Sequence, residues 1–96
     1  MQYYVYILSN ATKTVIYTGV TNDLVRRVWQ HREHIDPDSF TARFDVNRLV
    51  FYEVYEDVQA AIVREKQIKS WNRKRKNALV NGMNPKWVDL YPSLLG

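Results

Sequence analysis

Two short runs rich in aromatic and β-branched residues, Tyr3 to Leu8 and Thr14 to Val20, stand on either side of a five-residue break, Ser9-Asn10-Ala11-Thr12-Lys13. Such residues suit a pleated, half-buried surface, and so short a break turns the second run back on the first, so the chain opens on an antiparallel hairpin. Side chains alternate along a strand, which puts Tyr4 and Tyr6 on one face of the first strand and Tyr17 and Gly19 on one face of the second. If those faces coincide, Tyr6 and Tyr17 point into the same space. Gly19 then permits close packing where strand passes into helix.

Directly after the hairpin, Thr21 or Asn22 can satisfy the first free amides of a helix reaching about Glu33 or His34. At 100° per residue its inward stripe is Leu24, Val28 and Ile35, widened by Val25 and Trp29. Arg27 and His31, four apart, share the stripe's other edge, whereas Arg26 points away. Ile35 to Asn47, with Asp36-Pro37-Asp38-Ser39 and no sustained period, reads as a long loop. Leu49 to Tyr55 is apolar on both faces, which suggests a strand in the middle of the sheet.

Asp57 caps a second long helix ending near Ser70, with Val58, Ala61, Ile62 and Ile68 inward. On that wheel Glu65 falls in the centre of the apolar stripe. An unpaired buried carboxylate is costly, so Glu65 must meet a cation, a metal or hydrogen-bond donors. A pair with Arg27 is one such solution and is purely structural. Glu53, on the third strand, reads as a strand-end ion pair. A last helix from about Arg73 to Val80 stops at Asn81-Gly82, where glycine can take a left-handed cap. The apolar tail from Asn84 to Pro92 should pack back on the domain. Trp71 and Trp87 suit core packing better than base stacking.

The pattern implies an α+β domain with a small antiparallel sheet of three strands flanked by helices, in the order β-β-α-β-α-α. At 96 residues the whole chain, 1–96, reads as a single domain, since one core commonly needs about 50 to 200 residues. Its 46% hydrophobic and 25% charged residues fit an ordinary globule. Met1 to Leu8 lacks a basic leader and soon meets polar residues, so neither a signal peptide nor a membrane span is expected, and the cytoplasm is the expected location. With no cysteine and only His31 and His34, the chain has no thiolate site or usual zinc cage, so any metal must take oxygen ligands. Of the fourteen Lys and Arg, seven lie between Arg64 and Lys76 (Arg64, Lys66, Lys69, Arg73, Lys74, Arg75, Lys76), with Glu65 as the sole acid there. That is either a solvated helix face or a surface that neutralises phosphates.

Five blocks in order carry a family resemblance: Tyr4-Val5-Tyr6, Tyr17-Thr18-Gly19 with the residues through Leu24, the Arg27-to-His31 spacing, Ala61 to Lys69 with Trp71, and Asn84 to Leu90. Together they resemble the GIY-YIG nuclease superfamily along essentially the whole chain, and in particular its small standalone bacterial (UPF0213-like) members. The resemblance implies Mg²⁺- or Mn²⁺-dependent endonuclease activity on DNA. The tyrosines Tyr6 and Tyr17 flank the attacking water, Arg27 binds phosphate, and Glu65 holds one cation, with His31 a further matching position. It also implies hydrolysis that leaves a 5′ phosphate and a 3′ hydroxyl. An asparagine found in several members corresponds by spacing to Asn77.

The residues suit that chemistry. A guanidinium can fork onto phosphate oxygens. Mg²⁺ keeps several waters and takes one or two carboxylates, and no second carboxylate is placed beside Glu65, which favours one ion over two. The base stays open. A tyrosine ordinarily titrates near pH 10, while His31 lies nearer neutrality. Some relatives carry a lysine where this chain has Val20, which adds weight to His31 or Lys69. With no appended DNA-binding region, recognition is expected to follow nucleic-acid structure rather than sequence, as in repair or processing, or to be supplied by a protein partner. The rival expectation is a non-catalytic nucleic-acid-binding module of the same fold.

Overall fold

The computed structural model describes all residues, 1–96. Its elements are β1 (Tyr3–Ser9), β2 (Ile16–Thr21), α1 (Leu24–Arg32), α2 (Phe40–Arg43), β3 (Arg48–Tyr55), α3 (Val58–Ser70), α4 (Arg73–Met83) and α5 (Tyr91–Leu94). The hairpin forms as expected, and the three strands make one antiparallel sheet in the order β2-β1-β3. The central strand is therefore β1, not β3, and Val5 through Ser9 are all buried. β3 is apolar on both faces because Leu49 packs with Leu24 and Val28 while Val50 and Phe51 pack with Ala61 and Ile68, and the C-terminal tail covers its free edge. Leu90 donates its amide to the Leu49 carbonyl at 2.7 Å, Asp89 accepts the Leu49 amide at 3.2 Å, and Asn84 Nδ2 donates to the Val50 carbonyl at 3.1 Å. An edge blunted in this way can be apolar without templating another strand.

Alternation along β1 divides the core. Val5 and Ile7 pack with Val50, Phe51, Ala61 and Ile68 of α3, Val80 of α4 and Trp87. Tyr6 and Leu8 pack on the opposite face with Leu24 and Val28 of α1, Val46 and Leu49. A bulge between Ile7 and Leu8 lets consecutive residues Val50 and Phe51 both join the first cluster.

The helix ends differ from expectation where side chains compete for backbone groups. Asp23 caps α1 by accepting the Arg26 amide at 3.1 Å, while Thr21 Oγ1 takes the Asp23 amide one step earlier. The helix stops at Arg32, and His34 turns the chain with φ of 50°. Ile35 is thereby thrown off the stripe and is 57% exposed, and Val25 and Trp29 also face outward. The inward row is Leu24, Val28 and His31. The expected long loop contains the one-turn helix α2, capped by Ser39 Oγ on the Ala42 amide at 3.2 Å. α3 starts at its Asp57 cap as expected, although Val58 is exposed. α4 runs through Gly82, so no glycine cap forms. Asn84 ends it instead, donating its amide to the Val80 carbonyl at 2.7 Å while its side chain bonds both backbone groups of Val88.

Candidate active site

The site begins with cross-strand register. Tyr6 lies opposite Gly19, and Leu8 lies opposite Tyr17, so the two tyrosines are diagonal neighbours on one face with ring centroids 6.3 Å apart. Tyr6 is buried, and its ring lies over Gly19. A Cβ at Gly19 would sit 2.5 Å from both Cζ and the hydroxyl oxygen of Tyr6. Glycine at 19 is what gives Tyr6 its place.

His31, on the buried row of α1, joins this pair from above. Its Nε2 is 3.2 Å from the Tyr6 hydroxyl, and its ring centroid lies 5.5 Å from that of Tyr17. Its Nδ1 is 2.7 Å from Thr41 Oγ1 of α2, which in turn lies 3.3 Å from Ser39 Oγ. A chain of hydroxyl, imidazole and hydroxyl groups thus crosses the site, and the neutral ring can hold its proton on either nitrogen. Burial drives the Tyr6 pKa up to about 12, opposed chiefly by the hydrogen-bonding influence of Arg27. Burial also lowers the His31 pKa to about 4, with the positive charge of Arg27 as the second cause. At neutral pH Tyr6 keeps its proton and His31 is uncharged.

Arg27 lies one turn before His31 on α1. Its guanidinium is raised in pKa by the Tyr6 hydroxyl first and by Tyr17 among the lesser causes, and its Nη1 also donates to Gln30 Oε1 at 3.2 Å. The arginine remains exposed.

Glu65 occupies the inward row of α3 between buried Ala61 and Ile68, and its side chain is only 12% exposed. Its cation is Lys69, with Nζ 2.7 Å from Oε2, and not Arg27. Lys69 Nζ also lies 5.9 Å from the Tyr17 ring centre, and the Glu65 charge is among the influences on Tyr6. No side-chain nitrogen or oxygen is buried without a partner, so Oε1 of Glu65, which takes no protein hydrogen bond, meets solvent. No three or more acidic or histidine side chains cluster as a cage. One half-buried carboxylate with a solvent-facing oxygen fits a largely hydrated Mg²⁺ and does not fit a fully protein-ligated metal.

The basic run is more divided than its sequence suggests. Arg64 is held by Glu53 through two hydrogen bonds of 2.9 and 3.0 Å, making Glu53 the strand-end ion-pair partner expected of it. Arg73 donates to the carbonyls of Lys13 and Thr14 and, at 2.8 Å, to Asn77 Oδ1, fastening the β1–β2 turn to α4. Arg75 covers Trp71 at 4.1 Å. Lys66, Lys74 and Lys76 form no ion pair. The residue that sequence reasoning missed is Thr41. Its signal was Ser39, a helix-capping residue type that closes the turn-forming run Asp36-Pro37-Asp38.

A family model described as the GIY-YIG catalytic domain matches residues 2–78. Among curated proteins, the chain is similar to a UPF0213 protein of Natronomonas pharaonis, 40% identical over 81% of this chain and 89% of that one. A UPF0213 protein of Haloquadratum walsbyi is 36% identical over 80% of this chain and 84% of the relative. The solution NMR structure of a UPF0213 protein from Bacillus halodurans superposes with a TM-score of 0.59 at 28% identity, covering 93% of both chains.

Proposed function

The chain belongs to the GIY-YIG catalytic-domain family, within its UPF0213 branch, and from that premise we propose that it is an Mg²⁺-dependent endonuclease hydrolysing DNA, directed by nucleic-acid structure rather than sequence. The observation that carries the reading is the convergence of Tyr6, Tyr17, Arg27 and His31 on one face of the sheet, with the Glu65–Lys69 pair beside Tyr17.

Arg27 grips the non-bridging oxygens of the scissile phosphate. Water attacks phosphorus, and the bond to the 3′ oxygen breaks to leave a 5′ phosphate and a 3′ hydroxyl. Of the groups facing that water, neutral His31 can accept a proton at pH 7, whereas Tyr6 holds its own and serves to orient. The phosphate itself aids His31. Its negative charge offsets Arg27, one of the two causes of the low imidazole pKa, so substrate binding makes the ring a better proton acceptor. Glu65 would hold the Mg²⁺, which when bound would supply positive charge where negative charge develops in the transition state. Lys66, Lys74 and Lys76 extend the contact along the backbone.

The Glu65–Lys69 pair favours a second reading, because a lysine already neutralises the one suitable carboxylate. In that case the domain is a non-catalytic nucleic-acid-binding module. The two readings separate on labelled single-stranded, duplex and branched DNA and a matched RNA, with Mg²⁺ or chelator, using wild type and Glu65→Ala. The nuclease reading expects metal-dependent nicking that falls about a thousandfold or more in the variant. Salt-sensitive binding without nicking of any substrate supports the module instead.

A further inference from the structure

The rings of the site do not stop at Tyr17. Phe40 follows at a centroid distance of 6.5 Å, and Phe44 follows Phe40 at 4.9 Å. Both phenylalanines are large apolar groups left open to solvent, 48% and 46% exposed. Their exposure is built into the fold. They flank buried Thr41, which is tied to His31 at 2.7 Å, and the Ser39 cap and the bond from the Val46 amide to the Thr41 carbonyl fasten the turn. With Thr41 facing inward, the rings on either side of it are held outward. The guanidinium of Arg43 lies 6.0 Å from the centre of the Phe44 ring, so a cation accompanies the row.

We propose that Phe40 and Phe44 form a stacking platform for unpaired nucleobases of the strand whose phosphate is held at Arg27. Three rings in series starting beside a phosphate-binding arginine, with a second arginine further along, match a strand whose backbone follows the cations while its bases lie on aromatic faces. Bases locked in a duplex cannot present a free face there, so the platform selects strands with unpaired nucleotides next to the bond to be cut. The partner is accordingly a nucleic acid, and a second copy of this chain is the competing occupant. The inference rests on the proposed function only in that this face receives nucleic acid, and it is independent of turnover.

The test is equilibrium binding in EDTA, where no metal-dependent cutting occurs, read by fluorescence anisotropy. The probes are a labelled single-stranded oligonucleotide, the same strand carrying one abasic site at successive positions, and its fully paired duplex. Phe40→Ala weakens single-strand binding about 5- to 100-fold, as expected for loss of base stacking, and leaves duplex affinity unchanged. Phe40→Trp retains binding, and an abasic site at the stacked position weakens the wild type but costs Phe40→Ala nothing further. Because the ring is exposed, the thermal midpoint of Phe40→Ala stays at the wild-type value.

Equal losses on single strand and duplex, or no loss on either, overturn the platform. So does a dimer in sedimentation that Phe40→Ala dissociates. If the binding pattern holds while Glu65→Ala and wild type are equally inert in cleavage, the platform stands and the nuclease reading falls. If cleavage is metal-dependent and Phe40→Ala binds normally, the platform alone falls.

Discussion

One strand, β1, carries two unlike surfaces. On the Val5 and Ile7 side, β1 meets Ala61, Ile68, Val80 and Trp87, a core of apolar side chains whose one polar tip, the Trp87 indole N–H, donates to Asn81 Oδ1 at 2.6 Å. On the Tyr6 and Leu8 side, the same strand leads into buried hydroxyl and imidazole groups, each of which needs its partner, from Tyr6 through His31 to Thr41. The first face is held by apolar packing, and the second adds a chain of hydrogen bonds to its own apolar cluster. Burial raises the Tyr6 pKa and, with the positive charge of Arg27 as the second cause, lowers that of His31.

The comparison is sharpest where one face is changed and the other is read. Ile68→Ala should cost about 2 to 5 kcal/mol in chemical denaturation, as for a buried aliphatic truncation, while the His31 ring, followed by NMR, keeps its low pKa. A shift in that pKa would show that the faces are coupled.

Acid tests the polar face. Between pH 6.5 and about 4 the unfolded chain binds a proton at His31 that the folded chain refuses. Stability is therefore fully present above pH 6.5 and falls as pH drops through that window, by up to about 3 kcal/mol. The decline should vanish in His31→Gln, measured as denaturation midpoint against pH. Adding a phosphate ligand should raise the His31 pKa by offsetting Arg27.

Gly19→Ala is the smallest of these perturbations by volume and should cost about 1 to 3 kcal/mol, because one methyl group meets the Tyr6 ring at overlap distance. Tyr6 must then leave His31, so nicking should fall further than stability does, measured at a temperature where the variant is fully folded. Equal loss on both counts would mean that Tyr6 matters only as packing.

Much of this was legible before the fold. The five-residue break forced a hairpin, and period 2 put Tyr4 with Tyr6 and Tyr17 with Gly19; the register decides that these faces coincide. The Arg27-to-His31 spacing and the inward setting of Glu65 followed from the helical period alone. The errors have local causes. Ile35 looked inward because the period was carried past Arg32, where His34 reverses the chain. Gly82 looked like a cap because the bond from Asn84 to the Val50 carbonyl, which anchors the helix end one step later, joins residues 34 apart that no short-range pattern connects.

The sequence by itself determined features that depend on near neighbours along the chain: the three strands, the three longer helices, and the inward setting of Glu65. Tertiary structure alone decided that β1 and not β3 is central, because the tail that protects the β3 edge arrives from about forty residues away. It also decided that Lys69 rather than Arg27 answers Glu65, that Arg64 and Arg73 are engaged in structural contacts, and that Thr41 bonds His31. Those outcomes are contests among several charged or polar groups for a few partners. Distance in space settles such contests, and only the folded chain sets that distance.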